Sequence, residues 1–217
     1  MGWLELLLPP ACAGCGSAGA LLCGTCLRYT RPAPDPGARF ITADPGIAIG
    51  QDLTVAIAAF AFDGPIRRAM ARLKYEGGWR LAEPLSEAAA PTLRLLLELT
   101  GAVPLVAVPV HRERLRERGY NQAELITRAL RSATGAPAID LLERIRPTTK
   151  QHRLDRAARL ANLRDAFATR AAGRSLPHAV IVVDDIITTS ATLEACASVL
   201  RGAGVNDVYG FAVARKI

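Results

Sequence analysis

"VIVVDDIITTSATLEACASVL", residues 180–200, decides how the chain is read. Four apolar β-branched residues, Val180 to Val183, run without alternation into Asp184 and Asp185. A run of this kind predicts a strand covered on both faces, the habit of parallel sheets. Ile186 and Ile187 follow, then the hydroxyl-rich loop Thr188, Thr189, Ser190, Ala191 and Thr192, then a helical stretch that ends at glycine. The aspartates are expected at the carboxyl end of the strand, where open α/β sheets bind their ligands. Two adjacent carboxylates in a half-buried setting are costly unless donors or a cation meet them. Sugar hydroxyls meet that need, and so does a divalent cation. Backbone N–H groups at the start of the following helix form an anion site, to which small hydroxyl side chains add donors and caps. A cis-diol site beside a phosphate cradle describes a pocket for a ribose 5-phosphate. A plain helix cap accounts for one aspartate and one threonine, but not for the whole set.

The same grammar extends along the chain. "LTVAIAAFAF" (53–62), "VPLVAVPV" (103–110) and "NDVYGFAVAR" (206–215) read as strands, and "IDLLERIR" (139–146) as a strand or edge segment. Helices are expected over 64–75, over 79–99 with interruptions at Pro84 and Pro91, over about 120–133 and over 154–163. Apolar strands separated by helices indicate a mainly parallel central sheet with helices on both faces. Neither a G-x-x-x-x-G-K-[ST] loop nor a G-x-G-x-x-G turn after a strand occurs, which argues against P-loop and dinucleotide folds.

Of the 217 residues, half are hydrophobic and 22% are charged, ordinary values for a globular protein. The net charge of +7 is local. Residues 144–174 hold nine basic and two acidic side chains, and the remainder is balanced. Such a block suggests an anionic ligand, although a solvated helix face has the same composition. The longest mainly apolar run, 53–62, is too short to span a bilayer. The start "MGWLELLLPP" lacks the basic flank and cleavage site of a signal peptide, so the expected location is the cytoplasm, with no membrane association.

Four of the five cysteines, Cys12, Cys15, Cys23 and Cys26, form a C-x2-C-x7-C-x2-C pattern. Paired knuckles suit a tetrahedral structural zinc site with no open position. Two disulfides are the competing reading, and nothing in the sequence marks the chain as secreted. Cys196 stands alone on an expected helix and reads as a small core residue. "RPAPDPG" (31–37) reads as a stiff linker. The division expected is a zinc-binding domain over 1–38 and an α/β domain over 39–217.

These blocks together resemble a known family. "VIVVDDIITTSAT" resembles the phosphoribosyl pyrophosphate (PRPP) motif of type I phosphoribosyltransferases. "LKYEGGWRLAEPL" (73–85), "VAVPVHRERLRERGYNQAELI" (106–126) and "RPTTKQHRLDRAARLANLRDAF" (146–167) are similar to blocks of the ComF family (ComFC/GntX-like). In that family a cysteine zinc finger precedes a phosphoribosyltransferase-like domain. The resemblance implies a type I phosphoribosyltransferase-like fold, PRPP bound with Mg²⁺, and transfer of phosphoribosyl to an acceptor. It implies that Asp184 and Asp185 hold the ribose hydroxyls, that Thr188, Thr189, Ser190, Ala191 and Thr192 hold the 5-phosphate, and that Val110, His111 and Arg112 form the pyrophosphate loop. Asp184, Asp185 and Arg112 then carry catalysis. The basic block aligns with a hood that closes over PRPP, with Lys150, Gln151 and Arg159 among its residues. Ser190 departs from the family, which usually has glycine there. If that backbone has φ > 0, serine costs about 1–2 kcal/mol.

Two further readings complete the sequence. In "HRERLRERGYNQ", Arg114 and Arg116 read as part of a solvated helix face, whereas Asn121 and Gln122 are candidates to touch substrate or brace the pyrophosphate loop. The family's association with DNA uptake in competence implies an alternative function: a non-catalytic module for nucleotide or single-stranded DNA, acting with a competence helicase. Aromatic residues make up only 5% of the chain, which weakens a base-stacking platform.

Overall fold

The computed structural model describes residues 9–33, 52–75, 77–147, 163, 165–170 and 175–217. A short helix, α1 (Gly24–Arg28), follows the cysteine cluster. Then come β1 (Val55–Ala61), α2 (Gly64–Tyr75), a 3-10 turn (Trp79–Leu81), α3 (Ala82–Thr100), β2 (Leu105–Ala107), α4 (Arg112–Arg118) and α5 (Gln122–Thr134). The chain closes with β3 (Leu142–Arg144), β4 (Phe167–Thr169), β5 (Ala179–Ile187), α6 (Ala191–Gly202) and β6 (Asp207–Arg215). The central sheet has the order β1-β6-β5-β2, and every pair in it is parallel. β3 and β4 form a separate antiparallel ribbon. This is the mainly parallel, helix-flanked sheet that the sequence predicts.

Alternate residues of each strand feed opposite cores, as the two-residue repeat of a strand requires. Ile181, Val183, Phe211 and Val213 pack with Ile66, Met70, Leu85, Leu93 and Leu130 from α2, α3 and α5. Val180, Val182, Val208 and Ala212 pack on the other face with Leu193, Cys196 and Leu200 of α6 and with Leu142 and Phe167 of the ribbon. Two covered faces explain why β5 reads as an unbroken apolar run. Cys196 is fully buried in the second core, as expected of it. At the centre of β6, a Cβ on Gly210 would lie 2.9 Å from the Ala56 Cβ and from Leu193 Cδ1, so glycine lets α6 sit close on the sheet.

Three expectations need correction. β5 does not stop at the aspartates: Ile186 and Ile187 stay in the ladder opposite Ala214 and Arg215. α3 is continuous through both prolines. Pro84 lies in the first turn, where an amide N–H has no helical partner anyway. Pro91 and Glu87 are solvent-exposed, so the carbonyl one turn back can be hydrated, while buried Leu85, Ala89, Leu93 and Leu96 hold the opposite face. Finally, the first part of the expected linker belongs to the sheet. Pro32 bridges Phe60 antiparallel, the Ala33 N–H donates to the Ala59 carbonyl, and the Ala61 N–H donates to the Arg31 carbonyl. The expected helix over 154–163 lies outside the described residues except for Leu163, which is helical.

The cysteine cluster rests on α2. Arg68 Nε donates to the Gly14 carbonyl at 2.6 Å and an Arg72 amine donates to the Ala11 carbonyl at 3.3 Å. Cys12, Ala13, Leu22 and Cys26 share the core that contains Ile66 and Met70. Among the described residues, no helix is long and apolar enough to cross a membrane.

Candidate functional site

The acidic pair sits two residues before the end of β5. Its members point to opposite faces because they are adjacent in a strand. Asp185 is buried on the α2 side, where its carboxylate meets the Lys74 ammonium at 2.8 Å. Asp184 lies on the α6 side and its Oδ1 accepts the Asp185 amide at 2.8 Å. Burial, and then the Asp185 carboxylate, push Asp184 from 3.8 up to about 7; the Lys74 charge opposes them. Asp184 therefore keeps its proton towards neutrality, as a buried carboxyl beside a second carboxylate does.

Residues 188–190 make the turn into α6. Ser190 stands just before the helix with φ 57° and ψ 0°, and it is the only non-glycine residue of positive φ among those described. Its carbonyl accepts the first helical bond, from the Glu194 N–H at 2.9 Å, but its buried hydroxyl has no hydrogen-bond partner among the described residues. The glycine-type backbone expected at this position is thus present, with serine held in it. Thr188 is exposed and Thr189 and Thr192 are partly so, whereas Ala191 is buried. Behind the turn, the buried Glu194 carboxylate accepts the N–H groups of Asp52 and Leu53 at 2.9 and 3.2 Å.

The pyrophosphate-loop candidates come from β2. Parallel pairing places Ala107 against Val183, and the Val108 N–H donates to the Val183 carbonyl, so residues 108–112 leave the sheet beside the acidic pair. His111 caps α4, its Nδ1 accepting the Glu113 N–H at 3.4 Å. Val110 is half-buried and Arg112 exposed. No residue of α4 is buried, in keeping with a solvated face for Arg114 and Arg116. Asn121 is a brace: its amide donates to the Val108 carbonyl at 3.0 Å while its oxygen accepts the Ala123 N–H. Gln122 is buried and accepts from Arg118 at 3.1 Å. A groove of about 400 Å³ opens beside this loop, lined by Pro109, Val110, Asn121, Arg131 and Leu142. Lys150, Gln151 and Arg159 lie outside the described residues.

Lys74 and Glu194 were not singled out in the sequence. Lys74 falls inside the family-like block 73–85, but nothing local to it announces a partner 111 positions away. Tyr120 belongs with it: its hydroxyl donates to the Leu73 carbonyl at 2.6 Å.

At the other end of α2, the sulfurs of Cys12, Cys15, Cys23 and Cys26 all lie within 4.8 Å of one another. The Gly14 and Cys23 amides donate to Cys12 Sγ at 3.3 Å, and the Cys26 amide donates to Cys23 Sγ at 3.4 Å. Burial raises the Cys12 thiol, but the amides of Cys23, Cys15 and Gly14 outweigh it and bring Cys12 down to about 6. Burial, then the neighbouring thiols, push Cys26 up to about 12. Four converging sulfurs with amide donors can hold one tetrahedral metal ion.

Fold and clusters define the class: an α/β domain with a mainly parallel, helix-flanked central sheet, compatible with a type I phosphoribosyltransferase-like fold, carrying an N-terminal four-cysteine cluster able to hold a metal ion. The chain is similar over most of its length to curated competence and DNA utilization proteins. It is 29% identical over 216 residues to competence protein F of Haemophilus influenzae, covering 95% of this chain and 85% of that one. It is 28% identical over 158 residues to competence protein ComFC of Streptococcus pneumoniae, covering 73% and 67%. It is 28% identical over 225 residues to the DNA utilization protein YhgH of Escherichia coli K12, covering 97% and 85%. No protein-family model matches the chain.

Proposed function

We propose that the chain binds PRPP, or a ribose 5-phosphate ligand, with Mg²⁺ and transfers phosphoribosyl to an acceptor, in a role tied to DNA uptake or use. The observation that carries this reading is the conjunction on one chain segment of Asp184 and Asp185 with a left-handed turn at Ser190 that opens the 12-residue α6. In this reading the carboxylates accept hydrogen bonds from the ribose 2- and 3-hydroxyls. The amides and hydroxyls of Thr188 to Thr192 take the 5-phosphate, aided by the positive end of α6. Val110, His111 and Arg112 face the leaving pyrophosphate, whose charge the hood cations Lys150 and Arg159 help to balance while the Gln151 amide donates a hydrogen bond. The acceptor's lone pair displaces pyrophosphate at the anomeric carbon, and positive charge builds on the sugar as that bond breaks. The chain contributes positioning and electrostatic stabilisation. The hard oxygens of the acidic pair suit Mg²⁺, which supplies charge neutralisation at the pyrophosphate and ribose oxygens. Zinc is the metal that best suits the four thiols of Cys12, Cys15, Cys23 and Cys26, in a structural role.

The names of the relatives point only to competence and DNA utilization, which leaves room for a second reading: the site is kept for binding alone and the protein is a nucleotide or single-stranded-DNA module working with a competence helicase. One experiment separates the two. Calorimetric titration with PRPP and Mg²⁺ should show binding by the wild type and its loss, by tenfold or more at about 1.4 kcal/mol per decade, in Asp184→Asn/Asp185→Asn. No binding by the wild type sinks the PRPP reading. Binding with no pyrophosphate release across nucleobases and amines favours the second.

A further inference from the structure

We propose that Lys74 is a built-in cation of the acidic pair, a positioning residue that holds the Asp185 carboxylate in place so that the site grips a ribose 5-phosphate without a divalent metal. The inference rests on the ribose-phosphate reading of the site, adds a residue to it and confines its need for Mg²⁺ to PRPP. The Lys74 ammonium and the Asp185 carboxylate meet at 2.8 Å, with side chains only 21% and 12% exposed. A charge pair so placed is shielded from water and stronger than a surface pair. Its position is built in. Lys74 stands on the last turn of α2, where the carbonyl end of the helix favours a cation. Its neighbours on both sides are clamped by the "RGYNQ" block: Tyr120 donates to the Leu73 carbonyl at 2.6 Å, and the Arg118 guanidinium lies 5.5 Å from the centre of the Tyr75 ring. The other buried cation near the pair, Arg144, lies over the Phe167 ring at 5.3 Å on the α6 side of the sheet.

The chemistry explains what Lys74 does there. A sugar phosphate brings nearly two negative charges to a site that already holds two carboxyls. Unopposed, those charges repel the ligand they are meant to hold. A fixed ammonium on the sugar side offsets one of them and leaves the Asp185 oxygen not engaged by Lys74 aimed at a hydroxyl. Pyrophosphate adds charge that one lysine does not balance, so the demand for metal belongs to PRPP and not to ribose 5-phosphate.

The test uses zinc-loaded full-length protein in magnesium-free buffer with ribose 5-phosphate as probe, read by calorimetry. The wild type should bind it, and excess Mg²⁺ should change the dissociation constant by less than about threefold. Lys74→Met should weaken binding about tenfold or more, the loss of one charge-assisted contact, and added Mg²⁺ should restore most of it. Lys74→Arg should stay within about threefold of wild type, which a merely structural role for the side chain does not require. Wild-type binding that appears only with Mg²⁺ overturns the inference, with no variant needed. So does Lys74→Met binding as tightly as wild type in magnesium-free buffer. In both cases the ribose-phosphate reading survives. Failure of the wild type to bind ribose 5-phosphate or PRPP under any condition overturns that reading and this inference together.

Discussion

Ser190 concentrates the tension of the site in one residue. Its backbone is left-handed and its hydroxyl is buried without a partner among the described residues. Both cost free energy: about 1–2 kcal/mol for the backbone and about 1–3 kcal/mol for the hydroxyl. Ser190→Gly removes both and should stabilise the protein by about 1–2 kcal/mol after the extra chain entropy of glycine is counted. Ser190→Ala removes only the hydroxyl and should fall between. Urea denaturation of the three proteins orders them, and a Ser190→Gly no more stable than wild type shows that the hydroxyl is in fact satisfied. The backbone half of this tension was legible in the sequence, because serine stands where the resembled family usually has glycine; the buried hydroxyl was not. Lys74 was not legible. Its partner is fixed by how α2 packs across the sheet, and no local spacing encodes that.

At the scale of elements, the β5-turn-α6 unit followed from its residues with one error of boundary. The apolar run breaks at Asp184, which suggests a strand end. Yet Ile186 and Ile187 are β-branched and resume the ladder with β6. The distinction matters for chemistry, since adjacent residues within a strand face opposite ways. One aspartate therefore meets Lys74 and the other does not. The cysteine knuckle shows the reverse case, where spacing alone placed four sulfurs together. There Gly14 is indispensable: a Cβ on it would lie 2.5 Å from Cys26 Sγ and 3.1 Å from the Pro65 Cβ. Purified protein should hold about one zinc per chain. Gly14→Ala should lower that occupancy and reduce stability by about 1–3 kcal/mol. Metal analysis alongside thermal melting checks both, and full zinc with an unchanged melting temperature would show that the knuckle can yield.

For the molecule as a whole, Asp184 sets a dependence of stability on pH. Asp184 is raised to about 7 in the folded state against 3.8 as its ordinary value. Between these values the folded protein keeps a proton that the unfolded chain releases. Stability contributed by Asp184 is therefore present below about pH 4, falls as pH rises towards 7, and is lost above it. Asp184→Asn, a mimic of the protonated form, should match wild type near pH 4 and exceed it at pH 8 by about 1 kcal/mol or more. Denaturant midpoints at the two pH values decide it; equal midpoints at pH 8 would mean that the carboxylate is stabilised there by its surroundings.

The pairing of residues 31–33 with β1 reaches further than the fold. β1 is the outer strand of the sheet, and Arg31 to Ala33 cover part of its free side. A chain begun at residue 39, as the sequence alone recommends, would lose that cover together with the knuckle on which Arg68 and Arg72 close. It would uncover the β1 amide and carbonyl that Arg31 and Ala33 engage, and an uncovered strand edge is a place where protein molecules add to one another. A chain trimmed of its cysteine cluster should therefore self-associate more than the full chain, a difference that light scattering reads.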